Sequence, residues 1–222
     1  KKMASSRENK YKKDAQIMNF FEKLKLAAGI PLEKKDQKIE ESYCEIMDND
    51  TNDVIFAKTL IQNNGNFFYC EKKTELIKTL IALKDKLNIQ NLYCIEPVLK
   101  DLLQNASIDY TIDNYIECDA VLSSCEYLIA QQAKVMLSSN QLGSNNIKNL
   151  PKEHIIIAYT SQIVRSLNEG MSGINMRHID NLPSTITTIK SKTNKEADNN
   201  NAGNIKKISV LLIEDFRDAK PK

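Results

Sequence analysis

At 222 residues, 41% hydrophobic and 27% charged, the chain has the size and composition of one globular domain with a full core. No window approaches the ~18 consecutive apolar residues of a membrane-spanning helix. Its 31 basic and 29 acidic residues leave a formal charge of +2, without the concentrated basic surplus expected of a nucleic-acid binder.

The residues from Lys1 to Lys13 are basic, but no apolar stretch with a small-residue cleavage site follows, so a secretory leader is not expected. Ile17, Phe20, Phe21, Leu24 and Ala28 recur on a helical period and predict an amphipathic helix. Gly29-Ile30-Pro31 stops it, and the charged stretch 31–42 reads as a linker. The expected organisation is therefore a helical arm and linker over 1–42, and an α/β domain over 43–222.

Within that domain a helix is predicted over 54–62, closed by Asn63-Asn64-Gly65, then a short strand over 66–70. The next helix, 74–87, places Leu76, Ile77, Leu80, Ile81 and Leu83 on its inner side. A strand over 92–95 precedes Pro97, which opens another helix. Such alternation predicts a mostly parallel sheet covered by helices. Aliphatic and β-branched runs then predict strands over 120–124, 134–138, 154–159, 185–189 and 208–213, with a helix over 161–167. The stretch 190–207 carries almost no apolar residue and reads as a mobile loop.

The five cysteines (Cys44, Cys70, Cys94, Cys118, Cys125) form no C-x₂-C pair, and neither His154 nor His178 stands at metal-ligand spacing from them. No metal or cofactor site is expected in this chain, and reduced thiols point to a cytoplasmic protein. Only Arg7, Arg165, Arg177 and Arg217 offer bidentate anion clamps. No phosphate-binding loop, dinucleotide fingerprint or serine-nucleophile elbow is present. His154, at the head of an apolar strand, reads as a structural hydrogen-bonder.

The order of segments over 120–213 resembles the lactate-utilisation protein C family, the LUD domain. That family carries A-D-x-x-I-A-E-T-G-T between two strands, then P-x-x-H-I-V-V, Q-I-V and P-S-T, a G-P-S-R-T-A-D-I-E loop, H-G-P and a final apolar strand. The matching stretches here run from Cys125 to Lys134, then Pro151-Lys152-Glu153-His154-Ile155-Ile156-Ile157, Gln162-Ile163-Val164 and Pro183-Ser184-Thr185. The resemblance implies a three-layer α/β/α fold of the ribose-phosphate isomerase/CoA-transferase type. It also implies a cytoplasmic role in oxidising L-lactate to pyruvate beside partner subunits that hold iron–sulfur clusters.

The departures fall on the polar stretches. E-T-G-T is replaced by Gln131-Gln132-Ala133-Lys134, which removes a carboxylate and puts Ala where Gly accepts positive φ readily. The loop's Pro and Arg have no counterpart in 191–198, and H-G-P has become Ala202-Gly203-Asn204. The expected ligand-binding set is Gln131, Gln132, Lys134, Ser184, Thr185, Thr193 and Asn194, bordering one cleft with His154 as a structural neighbour. Two other readings stay open: a catalytically silent interaction module of the same fold, and an enzyme for an anionic carboxylate or phosphate metabolite.

Overall fold

Residues 46–192 and 204–214 are described by a computed structural model of the chain. The expected N-terminal helix and linker, the body of the 190–207 stretch, and the candidates Thr193 and Asn194 lie outside these residues. Two sheets organise what is described. The larger has six strands: β1 (Asn66–Cys70), β2 (Leu92–Tyr93), β3 (Tyr110–Thr111), β4 (Ala120–Ser123), β7 (Glu153–Tyr159) and β10 (Lys207–Ile213). Their order is β1-β10-β7-β4-β2-β3, and every pairing is parallel.

Composition explains the order. β7 (EHIIIAY) and β10 (KISVLLI) are the two near-continuous aliphatic runs, and they pair with each other over seven residues in the sheet's interior. Such runs suit strands buried on both faces. Helix α1 (Asn52–Gln62) packs against β1, and α2 (Lys73–Lys86) against β1 and β10. Phe56, Leu60, Leu80, Leu122, Ile155 and Ile156 are fully buried between these layers. Pro97 opens a single 3-10 turn, Pro97–Leu99, that leads into α3 (Lys100–Asn105).

The smaller sheet, in the order β8-β5-β6-β9, contains β5 (Tyr127–Ile129), β6 (Lys134–Ser138), β8 (Ile163–Val164) and β9 (Ile186–Lys190). The strands expected over 134–138 and 185–189 form, as Lys134–Ser138 and Ile186–Lys190, and belong to this smaller sheet. β6 runs antiparallel to both β5 and β9. Connection length explains this: only one 3-10 turn (Ala130–Gln132) and Ala133 separate β5 from β6, whereas a parallel return needs a crossover of about a dozen residues.

Helix 161–167 is not formed. A 3-10 turn (Thr160–Gln162) and β8 occupy that stretch, and α5 runs over Leu167–Arg177. Ser166 caps it by accepting from the Glu169 backbone N–H at 3.4 Å, so the S-x-x-E pattern of Ser166 and Glu169 marks where the helix begins. α5 covers the small sheet through Ile174, which packs on Tyr127, Ile129 and Met136.

Both described ends of the 190–207 stretch are packed, against the expectation of a wholly mobile loop. Lys190 closes β9, Ser191 and Lys206 are buried, and the Lys206 backbone N–H donates to Lys190 O at 3.0 Å.

Candidate functional site

Two ends of the small sheet separate the expected ligand residues. In the β6–β9 ladder Lys134 lies opposite Lys190 and Ser138 opposite Ile186. Past that second end, Ser184 N donates to Ser139 Oγ at 3.1 Å, and Ser139 N donates to Thr185 O at 3.0 Å. Ser139 lies five residue steps from Lys134, about 17 Å along the strand at the usual rise. Beyond Lys190, the carbonyl of Lys192 accepts from Asn64 Nδ2 in the turn before β1, which is the amino edge of the parallel sheet. The exposed Gln131 and Gln132 sit on the turn leading into Lys134, with Gln131 N donating to Arg165 O and α1 packed against the turn. The one expected cleft is therefore not formed: Ser184 and Thr185 stand at the carboxyl edge, and Gln131, Gln132 and Lys134 at the other end.

What gathers around Ser184 and Thr185 is a polar cluster centred on Glu126. β4 ends at Ser123, and Ser124 and Cys125 carry the chain to Glu126 at the mouth of the small sheet. This is the position, outside strand carboxyl ends, where open α/β sheets bind ligands. Glu126 is 3% exposed. One carboxylate oxygen, Oε1, accepts from Ser138 Oγ (2.7 Å), Gln141 Nε2 (3.3 Å) and Asn140 Nδ2 (3.4 Å). The other, Oε2, meets Arg177 Nη1 at 3.2 Å and His178 Nε2 at 3.4 Å. Ser138 and Gln141 belong to the capping box of the one-turn helix α4 (Ser139–Leu142), so the cap that starts α4 also holds the carboxylate. Burial pushes the Glu126 carboxyl up, but the bonds from Ser138, Gln141 and His178 outweigh it and hold it below the usual carboxylate range.

Arg177 is fixed from three sides. Besides Glu126, its Nη2 donates to Tyr127 Oη at 3.0 Å, and its guanidinium carbon lies 4.7 Å from the Tyr127 ring centroid. Gly173 lies under that ring: a Cβ there would stand 2.2 Å from Tyr127 Oη.

A second buried carboxyl, Glu96, follows β2 at the same edge. It accepts from Ser124 N at 2.6 Å and from Ser124 Oγ at 2.5 Å. Burial raises it; the Ser124 bonds offset part of that shift, and the Glu126 charge adds to it. Two carboxyls on either side of the buried Cys125 are thus pushed in opposite directions. Such divergence is what acid/base work requires, although structural networks also produce it.

His154 is fully buried on β7, its Nε2 paired with Ser123 Oγ at 2.8 Å and its Nδ1 without a partner among the described residues. Burial and the nearby Lys206 bring its pKa down to about 3, so the ring is neutral at physiological pH and serves as a core hydrogen-bonder. Among the described residues no three His, Cys, Asp or Glu side chains gather to hold a metal, and no helix is long and apolar enough to cross a membrane. A shallow surface depression of about 330 Å³ between α3 and β3 lies at the amino end of β3, away from the Glu126 cluster.

Sequence reasoning passed over Glu96, Glu126, Arg177 and His178. For Glu126 a signal existed, since it occupies the acidic second position of the A-D-x-x-I-A pattern. For Arg177 and His178 none did, because only the fold of α5 over the small sheet returns them to a residue some fifty positions earlier.

No curated protein matches the chain. Among solved structures it resembles a DUF162 family protein from Deinococcus radiodurans, at 15% identity and a TM-score of 0.54, over 74% of this chain and 99% of that one. That likeness supports the mixed α/β architecture with a mostly parallel sheet. The model of the LUD domain matches residues 82–213. α1 and β1 lie before this segment, yet β1 pairs with β10 inside it, so the folded unit extends beyond the match. With more than half its length matched, the chain belongs to the LUD-domain family.

Proposed function

We propose that the chain is a lactate-utilisation subunit of the C type, acting in the cytoplasm and supporting oxidation of L-lactate to pyruvate beside partners that carry iron–sulfur clusters. The observation that carries this reading is the LUD-domain match over 82–213. The cluster at the carboxyl edge, with Glu126 ionised and Glu96 raised, supplies a place for a polar ligand. Of the residues first expected at that ligand, Ser184 and Thr185 border this cluster. Gln131, Gln132 and Lys134 would serve a separate contact at the opposite end of β6.

The test is purification of the full chain from its native cells under reducing conditions. Iron and sulfide are assayed in what co-purifies, and L-lactate oxidation is compared in cells with and without the chain. Co-purifying clusters together with lactate oxidation that depends on the chain support the reading. Unchanged lactate oxidation in cells lacking the chain overturns it.

The replaced turn Gln131-Gln132-Ala133-Lys134 favours a second reading, a catalytically silent module that keeps its partner surface. Lactate oxidation that requires the chain but is indifferent to Glu126→Gln selects that reading.

A further inference from the structure

We propose that Arg177, Tyr127 and His178 form a receptor for a small free carboxylate, a site that goes beyond the subunit reading and does not rest on it. Arg177 is both fixed and open. Its Nη1 is held by Glu126, its Nη2 by Tyr127 Oη, and its plane by the Tyr127 ring. Yet its side chain is 44% exposed, against 4% for Glu126 behind it. A guanidinium carries several N–H donors in one plane, and one on Nη1 and one on Nη2 are engaged among the described residues. The others remain for a ligand.

Pre-organisation separates this residue from an ordinary ion pair. A surface arginine loses much side-chain freedom when it captures an anion, and here that freedom is already removed. Tyr127 is itself 8% exposed and seated against the Gly173 backbone, so the platform is rigid. His178 stands next in sequence, with Nε2 toward Glu126 and its other ring nitrogen uncommitted among the described residues. It adds a second ring beside the fork.

Charge and shape select the ligand class. The guanidinium N–H donors not used by Glu126 and Tyr127 can donate to the oxygens of a carboxylate. The buried Glu126 carboxylate behind Arg177 cancels part of the positive field, which disfavours a phosphate dianion more than a monoanion.

Arginine side-chain NMR on the full chain tests this. The Arg177 Nε–Hε signal is identified by its loss in Arg177→Lys, and acetate, L-lactate and inorganic phosphate are titrated separately. Saturable shifts of that signal with acetate and lactate, and weaker ones with phosphate, are expected. Binding, read from remaining amide signals, should weaken at least tenfold in Arg177→Lys, about the effect of losing one charged fork. Since Arg177→Lys keeps a cation beside Glu126, its melting temperature should stay close to that of the parent. His178→Gln supplies an independent variant, expected to weaken acetate binding less. No saturable shift at millimolar carboxylate, equal affinity in Arg177→Lys, or phosphate binding as tight as acetate would each overturn the proposal. Failure of the co-purification above would leave this titration unaffected.

Discussion

Glu126 shows how a buried charge is made tolerable. A lone carboxylate in this position would cost several kcal/mol of desolvation, and here Ser138, Gln141, Asn140, Arg177 and His178 share it. Glu126→Ala should therefore lower stability by about 1–3 kcal/mol, since it leaves the buried Ser138 and Gln141 without their acceptor while the half-exposed Arg177 turns to water. Glu126→Gln should lose less, as one amide oxygen still accepts from Ser138. Urea unfolding at pH 7 measures both, and a loss under ~1 kcal/mol for Glu126→Ala would mean the donors find water instead. The same cluster explains why the site was poorly legible in the sequence. Gln131 and Lys134 are expected at the site because they align with the family's E-T-G-T stretch, but polarity on a turn costs nothing and carries little information. A buried Glu is informative, yet its burial exists only once β4, β6, α4 and α5 have assembled.

At the scale of elements, the β5–β6 connection turns on one residue. Ala133 closes the 3-10 turn with φ 45° and ψ 43°, a left-handed conformation that disfavours any residue with a Cβ, and its methyl is fully buried. Ala133→Gly relieves roughly 1–2 kcal/mol of backbone strain. It forfeits about 0.8 kcal/mol of methyl burial and adds unfolded-chain entropy, so the net should lie within about 1 kcal/mol of the parent. Ala133→Val adds β-branching at positive φ and overpacks a closed site, and should cost about 3 kcal/mol or more. Equal losses in the two variants, read as shifts of the urea midpoint, would show that methyl packing and not φ controls the turn. Much of the remaining fold was legible. The strands over 66–70, 154–159 and 208–213 and the helices over 54–62 and 74–87 stand where periodicity and aliphatic runs place them, because those signals are local. Which sheet a strand joins is not local. The runs over 134–138 and 185–189 look like parallel-sheet strands, and only the shortness of the turn at Ala133 sends the first of them back antiparallel, with β9 following it.

Across the whole molecule, two sets of buried groups oppose each other in alkali. Burial raises the thiols of Cys125, Cys94 and Cys118, with Cys94 pushed up to about 11. A raised acid keeps its proton in the folded chain while the unfolded chain releases it, so its stabilising contribution is lost as pH climbs from the ordinary thiol range. Lys206 has the opposite sign. Its ammonium is buried at the head of β10, donating to Leu150 O at 2.8 Å, and burial with the neighbouring Lys152 lowers its pKa from 10.5 to about 8. Between these two values the unfolded chain binds more protons than the folded one, so stability gained through Lys206 rises with pH across about 8 to 10.5. In the parent the two slopes should partly cancel, so that the fall in stability from pH 7.5 to 9.5 is expected to be shallow. Lys206→Met removes the rising contribution and leaves Leu150 O without its donor, a cost that does not vary with pH. The variant should therefore lose stability more steeply than the parent over that range, when unfolding by urea is followed under reducing conditions. Parallel curves would mean that folded Lys206 keeps its proton well above pH 8, and that water reaches the head of β10.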